Sequence, residues 1–206
     1  TDMHADQIEQ AARAGKAIFC EKPVDLSADR VRACLNVVEE TGAKLMIGFN
    51  RRFDTNFAAA RARIDSGDIG TVELVQITSR DPGPPPVDYI KRSGGLFRDM
   101  MIHDFDMARF LLGDDEIVGV SATGSVLVDP AIGVAGDVDT ATATLRTKSG
   151  KIAVITNSRR ATYGYDQRIE VHGSKGAVSA ANVHNHTVTL ANSDGYRAAP
   201  LLDFFM

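Results

Sequence analysis

Apolar positions along the first fifty residues recur in two alternating periods. Within residues 3–15, Ile8, Ala11 and Ala12 fall at helical spacing, and Gly15-Lys16 closes the pattern as a glycine C-cap does. "AIFCEKP" (17–23) is a short continuous apolar run stopped by Pro23. Ser27 then stands where an N-cap is needed, ahead of a second helical pattern carrying Val31, Leu35 and Val38 and ending at Gly42. "AKLMIGFN" (43–50) is again continuously apolar. Helix–strand–helix–strand, with strands apolar throughout, predicts a parallel sheet covered on both sides.

The pattern changes after Asn50. A helix near 54–66 leads to a strand, "TVELVQITSR", and to the proline-rich "DPGPPPVDYIKRSGG". The segment "GGLFRDMMIHDFDMARFLLG" (94–113) follows and reads as one apolar helix. From residue 117 onward alternation dominates: "IVGVSATGSVLV", "DTATATLRTKSGKIAVITNSR", "DQRIEVHGSKGAVSA" and "HTVTLANS", with turns at Lys148-Ser149-Gly150 and Gly173-Ser174-Lys175-Gly176. Valine and threonine in alternation predict an antiparallel sheet with one face covered. The expected organisation is two architectures with a boundary near residue 50. The chain opens at the entrance to a helix and closes on "APLLDFFM", as a new apolar pattern starts, so it reads as a piece of a longer protein.

Composition narrows the function classes. The 206 residues are 44% hydrophobic and 24% charged, with a net charge of −4. That balance builds a globular core and offers no basic footprint for nucleic acid. No apolar run is long enough to span a bilayer, and no signal peptide is expected. Cys20 and Cys34, the only cysteines, lack metal-ligand spacing and do not make a disulfide framework. The expectation is a cytoplasmic protein with no nucleic-acid or membrane partner.

Candidate chemistry gathers at four places. In 94–113, Asp99, His103 and Asp106 are spaced i, i+4, i+7 and share one helical face, with Met100, Met107 and Leu111 on another. A carboxylate one turn from an imidazole predicts a direct hydrogen bond that fixes the tautomer and raises proton affinity, the equipment of a general base. Lys22 ends a parallel strand, and the carboxyl ends of such strands are where open α/β sheets bind ligands. Asp81 stands beside a run of prolines and a glycine that stiffens its loop, a setting suited to binding groups. Tyr163 and Tyr165, two apart, would face the same side of an extended strand, packed on a partner or lining a pocket. His184 and His186 form an H-x-H pair without a nearby acidic partner and read as a surface hairpin.

With "EKP" closing the first predicted strand, "GFNRRFD" at the junction and "GGLFRDMMIHDFDMARFL" downstream, the chain resembles the Gfo/Idh/MocA oxidoreductases over essentially its whole length. Within that family "YGYDQRIEVHGSKG" and "GFNRRFD" most resemble the members acting on inositols. The resemblance implies an α/β fold: the C-terminal part of a Rossmann dinucleotide-binding domain (1–50), then an α+β substrate-binding and oligomerisation domain (51–206) with a large, mainly antiparallel open sheet. It implies Lys22, Asp99 and His103 as the catalytic set. It places Arg51, Asp81, Asp106 and one of Tyr163 or Tyr165 on the polyol, and Glu21 with Lys22 at the cofactor. The cofactor is NAD, with NADP as the alternative, and no metal is implied. The glycine-rich cofactor fingerprint has no counterpart in this sequence.

The implied reaction takes a hydride from a secondary hydroxyl of a cyclitol, myo-inositol or a close relative. His103 would accept the hydroxyl proton, Asp99 would hold His103, and Lys22 would stabilise the developing alkoxide. A homo-oligomer, dimer or tetramer, is expected. Another sugar or polyol of the same family is the alternative substrate. The rival from a different class is a metal-dependent hydrolase using His103, Asp104 and His184/His186. A third reading is a substrate-binding and assembly module.

Overall fold

The computed structural model describes residues 3–202, so the apolar close at Phe204 and Phe205 lies outside the described residues. Helix α1 (His4–Arg13) and strand β1 (Ile18–Cys20) are followed by α2 (Ala28–Thr41) and β2 (Leu45–Ile47). Ser27 caps α2 through its hydroxyl, which accepts the Arg30 N–H, and Gly42 ends it at φ 63°. β1 and β2 pair in parallel, Ile18 opposite Leu45. Ala5, Ile8, Cys20 and Cys34 form a small core with Ile18, Val38, Leu45 and Ile47 against it.

Both helices pack on one side of the pair, and Phe19 and Met46 on the other are 64% and 47% exposed. One expectation changes here. In α2 the buried positions are Cys34 and Val37, while Leu35 is exposed: Cys34 sits under α1, its thiol directed at the Ala5 carbonyl, and that contact sets the helix phase.

A 3₁₀ turn (Asn50–Phe53) leads into α3 (Thr55–Asp65), capped by the Asp54 carboxylate, and then β3 (Val72–Arg80). Short helices α4 (Val87–Ser93) and α5 (Gly95–Asp99) precede α6 (Met101–Leu112). The rest is β4 (Ile117–Ser125), α7 (Pro130–Val134), β5 (Thr140–Thr147), β6 (Ile152–Ser158), β7 (Asp166–Gly173) and β8 (Gly176–Ala180), with an exposed hairpin of β9 (Leu190–Asn192) and β10 (Gly195–Arg197).

Six of these strands form one sheet in the order β4-β5-β6-β3-β7-β8. It is antiparallel except at its centre, where β3 and β6 run parallel. The inner face is built in lateral rows: Leu145, Ala153, Val75 and Val171, then Ala143, Ile155, Ile77 and Ile169. Met101, Met107, Ala108 and Leu111 of α6 pack on this face, and each is at most 1% exposed. Full burial of such a side chain contributes about 1.5–3 kcal/mol, so this contact is the main core. The next row is Ala141, Asn157, Ser79 and Gln167. Polar residues enter the inner face there, at the carboxyl ends of β3 and β6.

The expected single helix over 94–113 is two. Gly94 and Gly95 have φ of 89° and 76°, a pair of left-handed residues that turns the chain and lets the Asp137 carboxylate accept the Leu96 N–H at 3.0 Å. The second break falls at Asp99–Met100. In a continuous helix the Asp99 carbonyl would take the His103 N–H; instead that N–H donates to the Met100 carbonyl at 3.3 Å, and Lys22 Nζ donates to the Asp99 carbonyl at 2.6 Å.

Candidate active site

The break at Asp99 and the polar end of the sheet open on the same cavity, of about 510 Å³. Glu21 and Lys22 enter it from just beyond β1, and Arg51 from the 3₁₀ turn. Asp81 comes from the end of β3, Asp99 and His103 from α5 and α6, and Arg159 and Tyr165 from beyond β6. Pockets of this size accommodate small ligands.

Asp99 is the hub. Its Oδ1 accepts Lys22 Nζ at 3.2 Å and the Tyr89 hydroxyl at 2.9 Å, and its Oδ2 faces Arg159 Nη2 at 3.4 Å. Burial and the Asp99 carboxylate push the Tyr89 phenol up to about 12. The expected hydrogen bond between Asp99 and His103 is not formed. His103 Nδ1 is buried without a partner, which leaves Nε2 as the ring nitrogen available to the cavity. Its ring stands edge-on to Phe49, with centroids 6.4 Å apart. Burial, then the charges of Arg51 and Lys22, push the imidazole down to about 3. Asp99 acts in the expected upward direction, but desolvation and the two cations win. His103 is therefore neutral.

Beneath the cavity lies a buried polar network. Asp104 is fully buried; Arg51 pairs with its Oδ1, and Asn157 Nδ2 donates to its Oδ2 at 2.8 Å. Arg51 also donates to Ser79 Oγ at 3.1 Å, and Ser79 donates to Gln167 Oε1 at 2.9 Å. Burial raises the Asp104 carboxyl against the pull of Arg51. Both its oxygens are engaged and it has no exposed surface, so it is not presented as a metal ligand. His184 Nδ1 contacts the Ala199 carbonyl at 2.6 Å, and His186 Nδ1 accepts the Val188 N–H at 3.2 Å. Among the described residues, no group of three or more His, Cys, Asp or Glu side chains could hold a metal ion.

Asp81 lines the cavity and is pushed up to about 6 by burial, with Arg159 the main opposing charge. Tyr165 lines it too, whereas Tyr163 does not. The pair was expected to share one side of a strand, but residues 160–165 form a turn, with Gly164 at φ 112°. Tyr163 points instead to Asp166, donating to its Oδ2 at 2.7 Å, and accepts from Arg80 Nη1 at 2.8 Å. Asp106 is also outside the cavity. Arg52 clamps it through Nε at 2.8 Å and Nη2 at 2.6 Å, beside Phe53 and Phe105. Asp99 and His103 therefore share the cavity across the helix break, whereas Asp106, on the same helix as His103, is taken by Arg52 on another side.

Arg159 and Tyr89 are cavity residues that the sequence reading missed. Arg159 is 2% exposed and follows the last residue of β6. The doublet Arg159-Arg160 at a strand end is the only sequence signal, and nothing in it tells which arginine turns inward. A larger hollow of about 830 Å³ lies between α3, the end of α6 and the start of β4. Its Arg61 is paired with Asp65, and it contains none of the expected site residues.

Residues 1–49 match the oxidoreductase family with an NAD-binding Rossmann fold, and residues 57–179 match the GFO/IDH/MocA C-terminal domain. Inositol 2-dehydrogenase of Rhizobium meliloti is 69% identical over all 206 residues, which span 62% of its length. The crystal structure of a myo-inositol dehydrogenase from Corynebacterium glutamicum superimposes with a TM-score of 0.92 at 46% identity, over 98% of this chain and 61% of that one. A scyllo-inositol dehydrogenase from Lactobacillus casei with bound NAD(H) and scyllo-inositol gives 0.85 at 33% identity, over 96% and 60%. With the parallel β1–β2 unit, the six-stranded sheet and family matches over both, the chain belongs to the GFO/IDH/MocA oxidoreductase family.

Proposed function

We propose that this chain carries the polyol-binding and proton-handling part of an NAD-dependent dehydrogenase that removes a hydride from a secondary hydroxyl of a cyclitol, myo-inositol or a close relative. The observation that carries the reading is the convergence of Lys22, Asp99 and a neutral His103 on one polar cavity. The inositol dehydrogenases among its relatives support the substrate class.

The residues present fit a nicotinamide cofactor. The Glu21 carboxylate packs over Gly48, where an added Cβ would sit 3.0 Å from it, and together with Lys22 it lines the cavity at the carboxyl end of β1. Glu21 and Lys22 would hold the cofactor there, and when bound it accepts the hydride. The chain's own residues handle the oxygen. Lys22, aimed by the carbonyl and carboxylate of Asp99, donates to the substrate hydroxyl and stabilises negative charge as it develops. His103 Nε2 takes the hydroxyl proton. Arg51, Asp81 and Tyr165 line the cavity and offer donors and acceptors to the remaining hydroxyls.

Residues 1–50 would act as part of the Rossmann domain and residues 51–206 as the substrate and assembly domain. The protein would work in the cytoplasm, in keeping with its two free, buried cysteines. It would assemble as a dimer or tetramer through the outward sheet face.

The test joins this chain to the remaining sequence of the Rhizobium meliloti relative and follows reduced nicotinamide with myo-inositol, scyllo-inositol and glucose, with NAD and with NADP. Cyclitol-dependent reduction of NAD is expected. Polyol binding without reduction would leave a binding module.

A further inference from the structure

Arg159 has the largest fully buried side chain among the described residues, and the mechanism above gives it no task. Its backbone N–H donates to the Asp139 carbonyl at 2.8 Å, which anchors it just past β6. Its guanidinium reaches the cavity wall between two carboxylates: Nη2 lies 3.4 Å from Asp99 Oδ2 and Nη1 lies 3.9 Å from Asp81 Oδ2. Its Nε is buried with no partner, so the group is not placed to satisfy itself. A planar cation that leaves one donor unused while spanning two acids is held for those acids.

We propose that Arg159 is a positioning residue for the dehydrogenase reaction: it is the cation that Asp99 and Asp81 share, turning Asp99 toward Lys22 and keeping Asp81 a charged acceptor for a polyol hydroxyl. The proposal rests on the cavity being the polyol-oxidising site.

The two carboxylates need such a partner for different reasons. Asp99 accepts Lys22 and Tyr89 on Oδ1 alone, so Arg159 on Oδ2 fixes the rotation of the carboxylate that presents Oδ1 to Lys22. Asp81 faces two cations, Arg159 and Arg51, and two acids, Asp104 and Asp99. Arg51 is already paired with Asp104. Burial and the two acids push Asp81 toward its neutral form, and Arg159 is the largest force against it. Without Arg159, Asp81 would be about half protonated at neutral pH and would then donate, in that fraction, where it now accepts.

The test follows the Asp81 carboxyl by NMR in the chain labelled with ¹³C-aspartate, with Asp81→Asn giving the assignment. Arg159→Gln is expected to raise the Asp81 midpoint by about one pH unit, roughly tenfold in proton affinity. In the longer enzyme it is expected to raise the polyol KM through Asp81 and lower kcat through Asp99. Arg159→Lys, which also serves if the glutamine variant fails to fold, keeps the charge but not the fork. It should hold the Asp81 midpoint within about 0.3 units while kcat still falls, since one ammonium does not span both acids. An unmoved Asp81 midpoint in a folded Arg159→Gln variant overturns the proposal, as does a Lys variant with unaltered kcat. Failure of the dehydrogenase reading would show separately, as no reduced nicotinamide from the unsubstituted enzyme.

Discussion

Lys22 and Asp99 meet twice: the ammonium donates to the Asp99 backbone carbonyl at 2.6 Å and to its carboxylate at 3.2 Å. The first contact takes a carbonyl out of a helix, and the second places a charge beside the lysine. The residues stand 77 positions apart, one past β1 and the other at the end of α5. Through this pair the small parallel unit and the six-stranded sheet share one cavity.

Lys22→Ala should therefore lower turnover far more than it weakens nicotinamide binding, because its charge matters most as the alkoxide develops. Asp99→Asn keeps the shape and the carbonyl contact but removes the anion between Lys22 and Arg159. A loss of about 10² in kcat, with cofactor affinity within roughly threefold, is expected. Steady-state kinetics with cofactor-binding titrations check both variants, and equal losses in cofactor affinity and rate would make Lys22 a binding residue only.

The two tyrosines should separate cleanly. Tyr165→Phe removes a hydroxyl from the cavity wall and should raise the polyol KM by about tenfold. Tyr163→Phe should leave KM alone and instead weaken the fold by about 1 kcal/mol, since its hydroxyl bonds Asp166. Asp106→Asn should behave like Tyr163→Phe, losing the Arg52 clamp while KM is unchanged. Kinetics and urea unfolding on the three variants decide it. A KM effect at Asp106 would return that residue to the polyol.

How far the sequence carries the fold is clearest in α6. Met107 and Leu111 are buried where their spacing puts them, because helical periodicity reports which face meets a core. The same periodicity put Asp99, His103 and Asp106 on one face, and it held only in part: Asp99 and His103 share the cavity, whereas Arg52 takes Asp106. It also assumes an unbroken helix, whereas the Asp99 carbonyl accepts from Lys22, 77 residues away. Lys22, Asp99 and His103 were legible as a set only through the resemblance, since no local pattern brings them together. Arg159 was illegible: whether the first or the second arginine of a doublet turns inward depends on the last residue of β6 and the Asp139 carbonyl. The parallel pairing of β3 with β6 was likewise unreadable, because alternation gives a strand's faces and not its neighbour.

The outward face of the sheet should be a subunit contact. Thr144, Val154, Gln76 and Glu170 make one lateral row across it, and Thr142, Thr156, Thr78 and Arg168 the next. No described helix packs against these rows, although the strands beneath are the centre of the sheet. Thr142→Glu and Thr144→Glu together would place like charges across a self-paired interface. Sedimentation of the longer enzyme is expected to show a dimer or tetramer that the double variant dissociates, and a monomer at high micromolar concentration before substitution would exclude this interface.

Two groups in the cavity should tilt acid stability in opposite directions. His103 titrates near 3 in the fold against an ordinary 6.5. Its contribution is fully present above about pH 6.5 and is lost as pH falls toward 3, because the unfolded chain binds the proton first. Asp81 titrates near 6 against an ordinary 3.8. Its ionised form is the strained one, so it weakens the fold above about pH 6, and that penalty disappears as pH falls through the folded value toward 3.8. Between those values the two slopes oppose each other, and the unsubstituted chain should show a shallow dependence. Asp81→Asn removes the penalty and leaves the His103 slope. It should stabilise the chain by up to roughly 3 kcal/mol near pH 8 and make the acid loss steeper. His103→Gln leaves the Asp81 slope, so its melting temperature should climb as pH is lowered from about 7 to about 4.5. Thermal unfolding of the three proteins across that range is the measurement. Three parallel curves would mean that neither side chain is held away from its ordinary protonation in the folded cavity.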